Sequence, residues 1–307
     1  MKTNIAIIDL GSNLTKLVIT SGELPLQVIH RSVYNTKTLK SAPKGFFDSQ
    51  SIAQIESDIQ SILDVANKYD CSTYLGIATS AFRTRKNGLQ VIRDLNQKFN
   101  LQINIISGER EAQLIYKGAI ASTSVDRFPV MIMDIGGGST ELIIADASNI
   151  LWKHSFNFGS TALTSGLSLS DPLSPNDIED LNNRLEQHFA DLPQIIQAHA
   201  PLAFIGTTGA FESFAQIIES SHNSHESVAS NYRFEPKKLH KVLDQILKSS
   251  LQERLDTKGL NPLRVPTVHI AALIFKYVLD LYSFDEYILS LGDVKEGLAK
   301  EHMESQL

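Results

Sequence analysis

One sequence element occurs twice in this chain of 307 residues, and no other feature constrains the fold as strongly. The first copy is NIAIIDLGSNLTKLVITSG (residues 4–22), and the second is VMIMDIGGGSTELIIAD (residues 130–146), with Asp9 aligned to Asp134. Each copy is typical of an apolar β-strand, a tight polar turn and a second strand rich in β-branched residues. The duplication therefore predicts two halves of similar build with a cleft between them.

Helical and strand-like segments alternate after each copy. In the first half the pattern predicts a helix over residues 51–69, a strand over 73–80, a helix over 88–99 and a strand over 103–107. In the second half it predicts one long amphipathic helix over residues 174–200. Alternation of this kind indicates an α/β fold with parallel strand pairing in each half.

The length of the chain favours two domains, because it exceeds the usual size of a single hydrophobic core. We place the first domain at residues 1–124 and the second at residues 125–307, with the boundary at the segment SVDRFP. The last helix begins near Asp293, and it either belongs to the second domain or packs back on the first.

Composition argues against several classes of protein. The net charge of −6 disfavours a nonspecific nucleic-acid binder, and no apolar stretch approaches the roughly 20 residues that span a bilayer. Met1 leads directly into a strand-like run, so no signal peptide is predicted. The single cysteine, Cys71, excludes an internal disulfide framework. We therefore expect a cytoplasmic protein that binds neither nucleic acid nor membranes.

The charge is divided unevenly along the chain. Residues 1–122 contain 14 Lys and Arg against 10 Asp and Glu, whereas residues 123–307 contain 14 against 24. The first half is suited to an anion and the second to a cation, although a solvated surface of uneven charge explains the same numbers.

Three glycine-containing turns are candidates for phosphate binding. Consecutive backbone amides that point at one spot form a nest for an anion, and glycine lets a ligand approach the backbone closely. The alternative in each case is a turn with a purely structural use. We call them the first, second and third turn; they consist of Gly11, Ser12 and Asn13, of Gly136, Gly137, Gly138 and Ser139, and of Gly206, Thr207, Thr208 and Gly209.

Two acidic residues flank the second turn. Asp134 precedes it, and Glu141 follows it on the second strand of the hairpin. Phosphate sites commonly hold Mg²⁺, which takes one or two carboxylates together with water. The sequence therefore predicts that Asp134 and Glu141 bind Mg²⁺ or Mn²⁺.

Two further residues are candidates for chemistry in the first half. Glu111 follows a predicted strand, where it could act as a general base on water; an acid in the first turn of a helix also complements the helix dipole and needs no function. Arg83 follows the strand over residues 73–80 and could clamp a phosphate with two parallel hydrogen bonds. The alternative for Arg83 is a solvated helix start.

Five ordered segments resemble one known family. They are AIIDLGSNLTKLVI, GIATSAFR, IISGEREAQLIYKGA, MDIGGGSTELII and FIGTTGAF, and together they cover essentially the whole chain. In these segments the chain resembles the exopolyphosphatase and guanosine pentaphosphate (pppGpp) phosphohydrolase family. That family belongs to the acetate kinase, sugar kinase, Hsp70 and actin superfamily. The resemblance implies two ribonuclease-H-like α/β domains around a central cleft.

The resemblance also implies roles for particular residues. Glu111 matches the glutamate that activates water, whereas Asp134 and Glu141 match the acids that bind the divalent metal. Phosphate contacts would come from the three turns and from Arg83. The implied reaction is in-line attack of water on a terminal phosphoryl group of inorganic polyphosphate, of pppGpp or of both, by a homodimer.

The chain departs from the family pattern at several positions. Arg110 stands where a second acid is frequent, Ser160 follows the FNFG strand, and Lys295 replaces the usual arginine before Glu-Gly. The segment YNTKTLKSAPKGFF matches the family poorly, and its lysines (Lys37, Lys40 and Lys44) could line a polyanion path.

Two other functions stay open on the sequence. Sugar kinases share the implied fold, so an ATP-dependent phosphotransferase is an alternative enzyme. A non-hydrolytic protein that binds nucleotides or alarmones is the alternative outside enzymes.

Overall fold

The protein is described here from a computed structural model that covers residues 4–36, 45–220 and 228–306. Lys37, Lys40 and Lys44, for which a polyanion path was predicted, lie outside the described residues. The chain divides into two compact units: unit 1 comprises the chain up to Ala121 together with the segment from Asp293, and unit 2 comprises Ser122–Gly292.

Unit 1 is built on a five-stranded sheet. Its elements are β1 (Asn4–Leu10), β2 (Thr15–Ser21), β3 (Val28–Tyr34), α1 (Ser49–Lys68), β4 (Cys71–Ala78), α2 (Ser80–Thr84), α3 (Gly88–Phe99), β5 (Ile103–Ile105), α4 (Gly108–Ala121) and α11 (Val294–Glu304). The strand order is β3-β2-β1-β4-β5, with β1 to β3 antiparallel and with β4 and β5 parallel to β1.

The central strand β1 is buried on both faces. Ala6, Ile8 and Leu10 belong to the core on the side of α1 and α3, whereas Ile5 and Ile7 pack with Ala299 and Met303 of α11. A strand that is covered on both faces reads as a continuous apolar run, as this one does.

Unit 2 repeats this arrangement with a larger core. Its elements are β6 (Val130–Ile135), β7 (Thr140–Ala145), β8 (Ile150–Phe156), α5 (Pro175–His188), α6 (Leu192–His199), β9 (Ala203–Thr207), α7 (Thr208–Ser220), β10 (Tyr232–Arg233), α8 (Pro236–Lys248), α9 (Leu251–Leu255), α10 (Val268–Leu281) and β11 (Glu286–Ser290). The strand order is β10-β11-β9-β6-β7-β8. Strands β6 to β8 are antiparallel, and β9 and β11 extend the sheet in parallel.

The two sheets confirm the predicted α/β class with a ribonuclease-H-like order in each unit. Both have three antiparallel strands from two hairpins, and the first strand of each is also the start of a parallel set. The predicted duplication corresponds to the β1–β2 and β6–β7 hairpins.

Two expectations differ from the structure. The predicted helix over residues 174–200 is two helices, α5 and α6, because Pro193 lies in the first turn of α6, where its missing amide does no harm, and cannot continue a helix from before it. The units divide at residues 121 and 122 rather than at 124 and 125, and α11 belongs to unit 1, the alternative in which it packs back on the first domain.

Glycines bring α11 close to α4. A Cβ added to Gly118 would overlap the carbonyl oxygen of Asp293, and one added to Gly297 would overlap that of Leu114. The two helix backbones therefore approach each other more closely than larger residues permit.

Among the described residues, no helix combines the length and the apolar character that crossing a membrane requires.

Candidate functional site

The parallel strands of unit 1 bring three of the predicted features to one edge of its sheet. The amide of Thr79, after β4, donates to the carbonyl of Leu10 at the end of β1 (3.2 Å), and the amide of Ile106, after β5, donates to the carbonyl of Ala78 (3.1 Å). The first turn, α2 with Arg83 and the start of α4 with Glu111 therefore follow the carboxyl ends of neighbouring strands, where ligands of α/β sheets bind.

The first turn is tight, and its acid lies beside a lysine. The Gly11 amide donates to the Leu14 carbonyl (3.1 Å), and a Cβ on Gly11 would lie 2.8 Å from that oxygen. Asp9 is paired in register with Lys16 across β1 and β2, so their side chains share one face of the sheet. Burial raises the pKa of Asp9, while the nearby Lys16 and Lys295 oppose the rise.

The candidate base of unit 1 forms an ion pair with a candidate phosphate ligand. Nη1 of Arg83 lies 2.8 Å from Oε2 of Glu111 and also donates to the carbonyl of Ile106 (2.9 Å). Glu111 is 7% exposed. The other terminal nitrogen of Arg83, Nη2, is buried without a hydrogen-bond partner among the residues the structure describes. The structure thus brings Arg83 and Glu111 together and leaves a guanidinium donor unused.

The backbone of the second turn is held from one side by the segment after β8. The Gly136 amide closes the turn onto the Ser139 carbonyl (3.0 Å). The carbonyl of Gly136 accepts from both the amide and the hydroxyl of Ser160 (2.9 and 3.1 Å). The carbonyl of Gly137 accepts from the amides of residues 161 and 162. A Cβ on Gly159 would overlap the carbonyl of Gly136, so this close approach is made by the protein's own backbone.

The amide side of the second turn is different. Within the described ranges, the backbone amides of Gly137, Gly138 and Ser139 donate no hydrogen bond. Buried or half-buried amides without partners are uncommon in folded proteins. Three such donors in a row fit the anion nest that the sequence predicts.

The two acids of the second turn lie opposite each other. Asp134 and Glu141 are register partners across β6 and β7, so both carboxylates project from the same face. Glu141 is 1% exposed, and its Oε1 accepts a hydrogen bond from the Ser155 hydroxyl of β8 (2.7 Å). Carboxylate oxygens are the donors that a hard cation such as Mg²⁺ prefers.

The described residues contain no cluster of three or more His, Cys, Asp or Glu that could enclose a metal by themselves. Mg²⁺ usually takes only one or two carboxylates from the protein and completes its shell with water and phosphate oxygens. The Asp134 and Glu141 pair therefore fits the ion that the sequence predicts, with the remaining ligands supplied from outside the protein.

The third turn lies at the same sheet edge as the second, because β9 runs parallel to β6. Thr208 and Gly209 both have positive φ angles, 31° and 51°, where α7 begins. A Cβ on Gly209 would lie 3.2 Å from Nη2 of Arg264, so the guanidinium of Arg264 lies directly against this turn. Gly206 has a packing reason, since a Cβ there would overlap the ring of Phe211. Thr208 is a non-glycine residue at positive φ, and backbone strain of this kind clusters at active sites and ligand clamps.

The three departures from the family pattern have partners within their own units. Arg110 binds Glu301 of α11 through both terminal nitrogens, and Lys117 binds the same carboxylate (2.6 Å). Lys295 binds Asp293 (2.5 Å). Ser160 supports the second turn through the carbonyl of Gly136. Arg110 and Lys117 therefore share one acid of α11.

Three residues that the sequence analysis did not identify contact the candidate turns or acids. Lys16 lies opposite Asp9, Ser155 donates to Glu141, and Arg264 lies against Gly209. Lys16 and Ser155 could be found by writing out the hairpin register, because each lies directly opposite a candidate acid. Arg264 lies in an irregular segment whose sequence, NPLRVP, has no periodicity that predicts its neighbours.

Comparisons with known proteins agree with the resemblance. The sequence model of the Ppx/GppA phosphatase family matches residues 17–306. The crystal structure of an exopolyphosphatase from Cytophaga hutchinsonii superimposes with a TM-score of 0.92 at 25% identity, over 99% of this chain and 98% of that one.

Two curated relatives carry the two activities of that family in their names. Exopolyphosphatase 2 of Mycobacterium tuberculosis is 19% identical over 97% of this chain and 98% of its own length. The guanosine-5'-triphosphate,3'-diphosphate pyrophosphatase of Vibrio atlanticus is 26% identical over 73% of this chain, which covers 44% of that longer protein.

Proposed function

The chain belongs to the Ppx/GppA phosphatase family, and from that premise we propose that it is a phosphoanhydride hydrolase that releases terminal phosphate from inorganic polyphosphate, from pppGpp or from both. The observation that carries the mechanism is the 2.8 Å contact between Arg83 and Glu111 at the carboxyl edge of the unit 1 sheet. It joins a proton acceptor and a phosphate-binding cation, which are the two groups that such a hydrolysis needs.

In the proposed reaction, Glu111 accepts a proton from the attacking water. The water oxygen forms a bond to the terminal phosphorus, and the bond from phosphorus to the bridging oxygen breaks. The electron pair of that bond leaves with the shortened chain or nucleotide. Arg83 orients the Glu111 carboxylate through Oε2, and its unused Nη2 is available for a phosphate oxygen.

The three turns bind phosphate oxygens in this proposal. The amides of the second turn provide donors whose positions are fixed before the substrate arrives, since Ser160 holds the turn from behind. Arg264 adds a guanidinium beside the third turn. Asp134 and Glu141 would hold Mg²⁺ or Mn²⁺, which supplies positive charge against the phosphate oxygens.

Homodimer formation and a cytoplasmic location stay predictions; light scattering on the purified protein measures the first.

A phosphate-release panel tests the proposed activity. The purified protein is incubated with short polyphosphate, long polyphosphate, pppGpp or ATP, each with Mg²⁺ or with EDTA, first without any acceptor and then with one added. We expect Mg²⁺-dependent release from at least one of the first three. Turnover of ATP only when an acceptor is added would instead identify a phosphotransferase.

The Glu111→Gln variant tests the mechanism. We expect phosphate release to fall by about 10³-fold or more, while binding of inorganic tripolyphosphate stays within about threefold of the unchanged protein, because the amide keeps the shape but not the basicity. Glu109→Gln is the matched control in the same helical turn, where the side chain is exposed. Full turnover by Glu111→Gln would exclude Glu111 as the base.

A further inference from the structure

A group of buried charges lies next to the first turn, on the face of the unit 1 sheet that α11 covers. Asp293 is the N-cap of α11 and is completely buried, and Lys295 is 3% exposed. Nζ of Lys295 lies 2.5 Å from both carboxylate oxygens of Asp293. Burial alone would raise the pKa of Asp293, but the attraction of Lys295 and of Lys16 outweighs it and lowers that pKa. Asp293 is therefore held as an anion.

The same charges extend to the end of β1. Nζ of Lys16, the residue opposite Asp9, lies 3.5 Å from Oδ2 of Asp293. Asp9 itself is 5% exposed, and its Oδ1 has no hydrogen-bond partner in the part of the chain that the structure describes. Lys16 and Lys295 both attract this carboxylate. Its position therefore depends on the cations around it, since hydrogen bonds to Oδ1 are lacking.

The position of Lys295 is fixed by the packing of α11 on α4. The paired glycines, Gly118 and Gly297, allow the two backbones to touch, and Glu301 of α11 binds Arg110 and Lys117 of α4. Helix α4 also carries Glu111. The C-terminal helix is thus attached to the element of the candidate base while its first residues contact the charges at the end of β1.

The count of charges shows what Lys295 contributes. Asp9, Asp293 and Glu296 are buried carboxyl groups, and burial raises the pKa of Asp9 and of Glu296; Glu296 also pairs with Arg31 at 2.5 Å. The cations that face them are Lys16, Arg31 and Lys295. Removing the ammonium of Lys295 takes away the cation that lies 2.5 Å from both oxygens of Asp293, and a buried carboxylate that loses its close partner forces local rearrangement. The first turn begins two residues after Asp9 and would move with it.

We propose that Lys295 is a positioning residue for the first turn, which it holds in place through Asp293 and Asp9. The inference rests on the proposed function in one respect, that the first turn binds phosphate. Lys295 acts on the turn through the two carboxylates and does not itself bind the substrate.

The first measurement is the split between KM and kcat for Lys295→Met, using the best polyphosphate or pppGpp substrate of the panel. We expect KM to rise about tenfold while kcat stays within about threefold, because the turn contributes to binding more than to proton transfer. Lys295→Arg keeps the positive charge and should restore KM to within about threefold of the unchanged protein. Lys300→Met, on the same helix with an outer ion pair to Glu304, is the matched control and should change neither constant.

A double variant separates positioning from stability. Asp293→Asn combined with Lys295→Met removes one charge of each sign, and asparagine still caps the helix. We expect its melting temperature to recover most of what the single variant loses, because the removed charges are of opposite sign, while KM remains raised, because the Lys295 and Asp293 pair that faces Asp9 and Lys16 is still absent. If KM returns to normal together with the melting temperature, Lys295 serves only charge balance and the inference is overturned.

Binding of inorganic tripolyphosphate, measured by calorimetry with Glu111→Gln added to every variant, makes the inference independent of turnover. A protein that releases no phosphate would contradict the proposed function, yet a loss of tripolyphosphate affinity of about tenfold on Lys295→Met would still support the inference. Unchanged KM and unchanged affinity in Lys295→Met would refute it while leaving the proposed function intact.

Discussion

The β1–β2 and β6–β7 hairpins share the same strand–turn–strand pattern but differ in the charge of the residue opposite the acid. In each, an acid lies one residue before the end of the first strand, and a glycine amide closes the turn onto a carbonyl three residues later. The residue opposite the acid is Lys16 in the first hairpin and Glu141 in the second. The first pair thus joins an acid and a lysine, whereas the second joins two acids on neighbouring strands.

This difference shows how one element can serve two purposes. Like charges directly opposite in a sheet are destabilising, and a bound cation at the Asp134 and Glu141 pair would offset that repulsion. The Asp9 and Lys16 pair instead obtains its balance from within unit 1, through Asp293 and Lys295. A single residue on the second strand thus distinguishes a candidate metal site from an internally balanced turn.

Exchanging that residue in the second hairpin should have the largest effect. Glu141→Lys gives the second turn the acid and lysine pair of the first. We expect kcat/KM to fall by about 10³-fold or more and the remaining rate of phosphate release to be independent of Mg²⁺. Mg²⁺ titrations of phosphate release measure both. Glu141→Gln keeps the hydrogen bond from Ser155 and should lose less, about 10²-fold. Activity of Glu141→Lys within tenfold of normal would show that the acid pair is not a metal site.

The converse exchange in the first hairpin should be weaker. Lys16→Glu places four carboxylates around Lys295 and Arg31, so we expect the melting temperature to fall by roughly 10 °C and KM to rise by about 30-fold. Lys16→Gln, which removes one charge without adding another, should show less than half of each effect. Thermal melts and initial rates provide the two numbers. A melting temperature that does not change would mean that Lys16 is not part of the charge balance.

A smaller effect is expected from the support behind Glu141. Ser155→Ala removes the 2.7 Å hydrogen bond to Oε1 but leaves both acids, so the apparent affinity for Mg²⁺ should fall by about five- to tenfold. Excess Mg²⁺ should then restore kcat. The first hairpin offers the comparison: Ser32 lies on the third strand opposite Leu17, away from the candidate acid, and Ser32→Ala should leave Mg²⁺ dependence unchanged. Loss of activity in Ser155→Ala that Mg²⁺ cannot restore would contradict an orienting role.

Local patterns were sufficient to predict the hairpins and the α/β class. The strands and turns of both hairpins depend on residues within about 20 positions of one another, and the register pairs follow once the turn is located. The long helix over residues 174–200 was wrong because the amphipathic pattern continues across the break and only Pro193 marks it.

Long-range packing explains what the sequence did not yield. Gly118 and Gly297 are far apart in the chain, and nothing local to either predicts that they meet. The partners of Arg110 and Lys295 depend on that contact, so the consequences of both departures could be read only from the structure. The same holds for Arg264, which approaches Gly209 from an irregular segment.

The smallest expected effect distinguishes the two units by their response to acid. Burial lowers the pKa of His269 in unit 2 to about 4 from its usual 6.5, whereas hydrogen bonds from Arg110 and then Lys117 lower the pKa of Glu301 in unit 1 to about 2 from 4.5. Both groups bind protons more readily in the unfolded chain, so each contributes less to the free energy of unfolding as the pH falls. The contribution of His269 is lost between about pH 6.5 and 4, and that of Glu301 between about pH 4.5 and 2. Trp152 is the single tryptophan and lies in unit 2, so its fluorescence follows that unit alone. We expect the melting temperature followed by Trp152 fluorescence to fall by about 5 °C between pH 6.5 and 4.5. The fall should be smaller in His269→Gln, because glutamine cannot take up the proton. An equal fall in both proteins would assign the acid sensitivity of unit 2 to another group and remove this difference between the units.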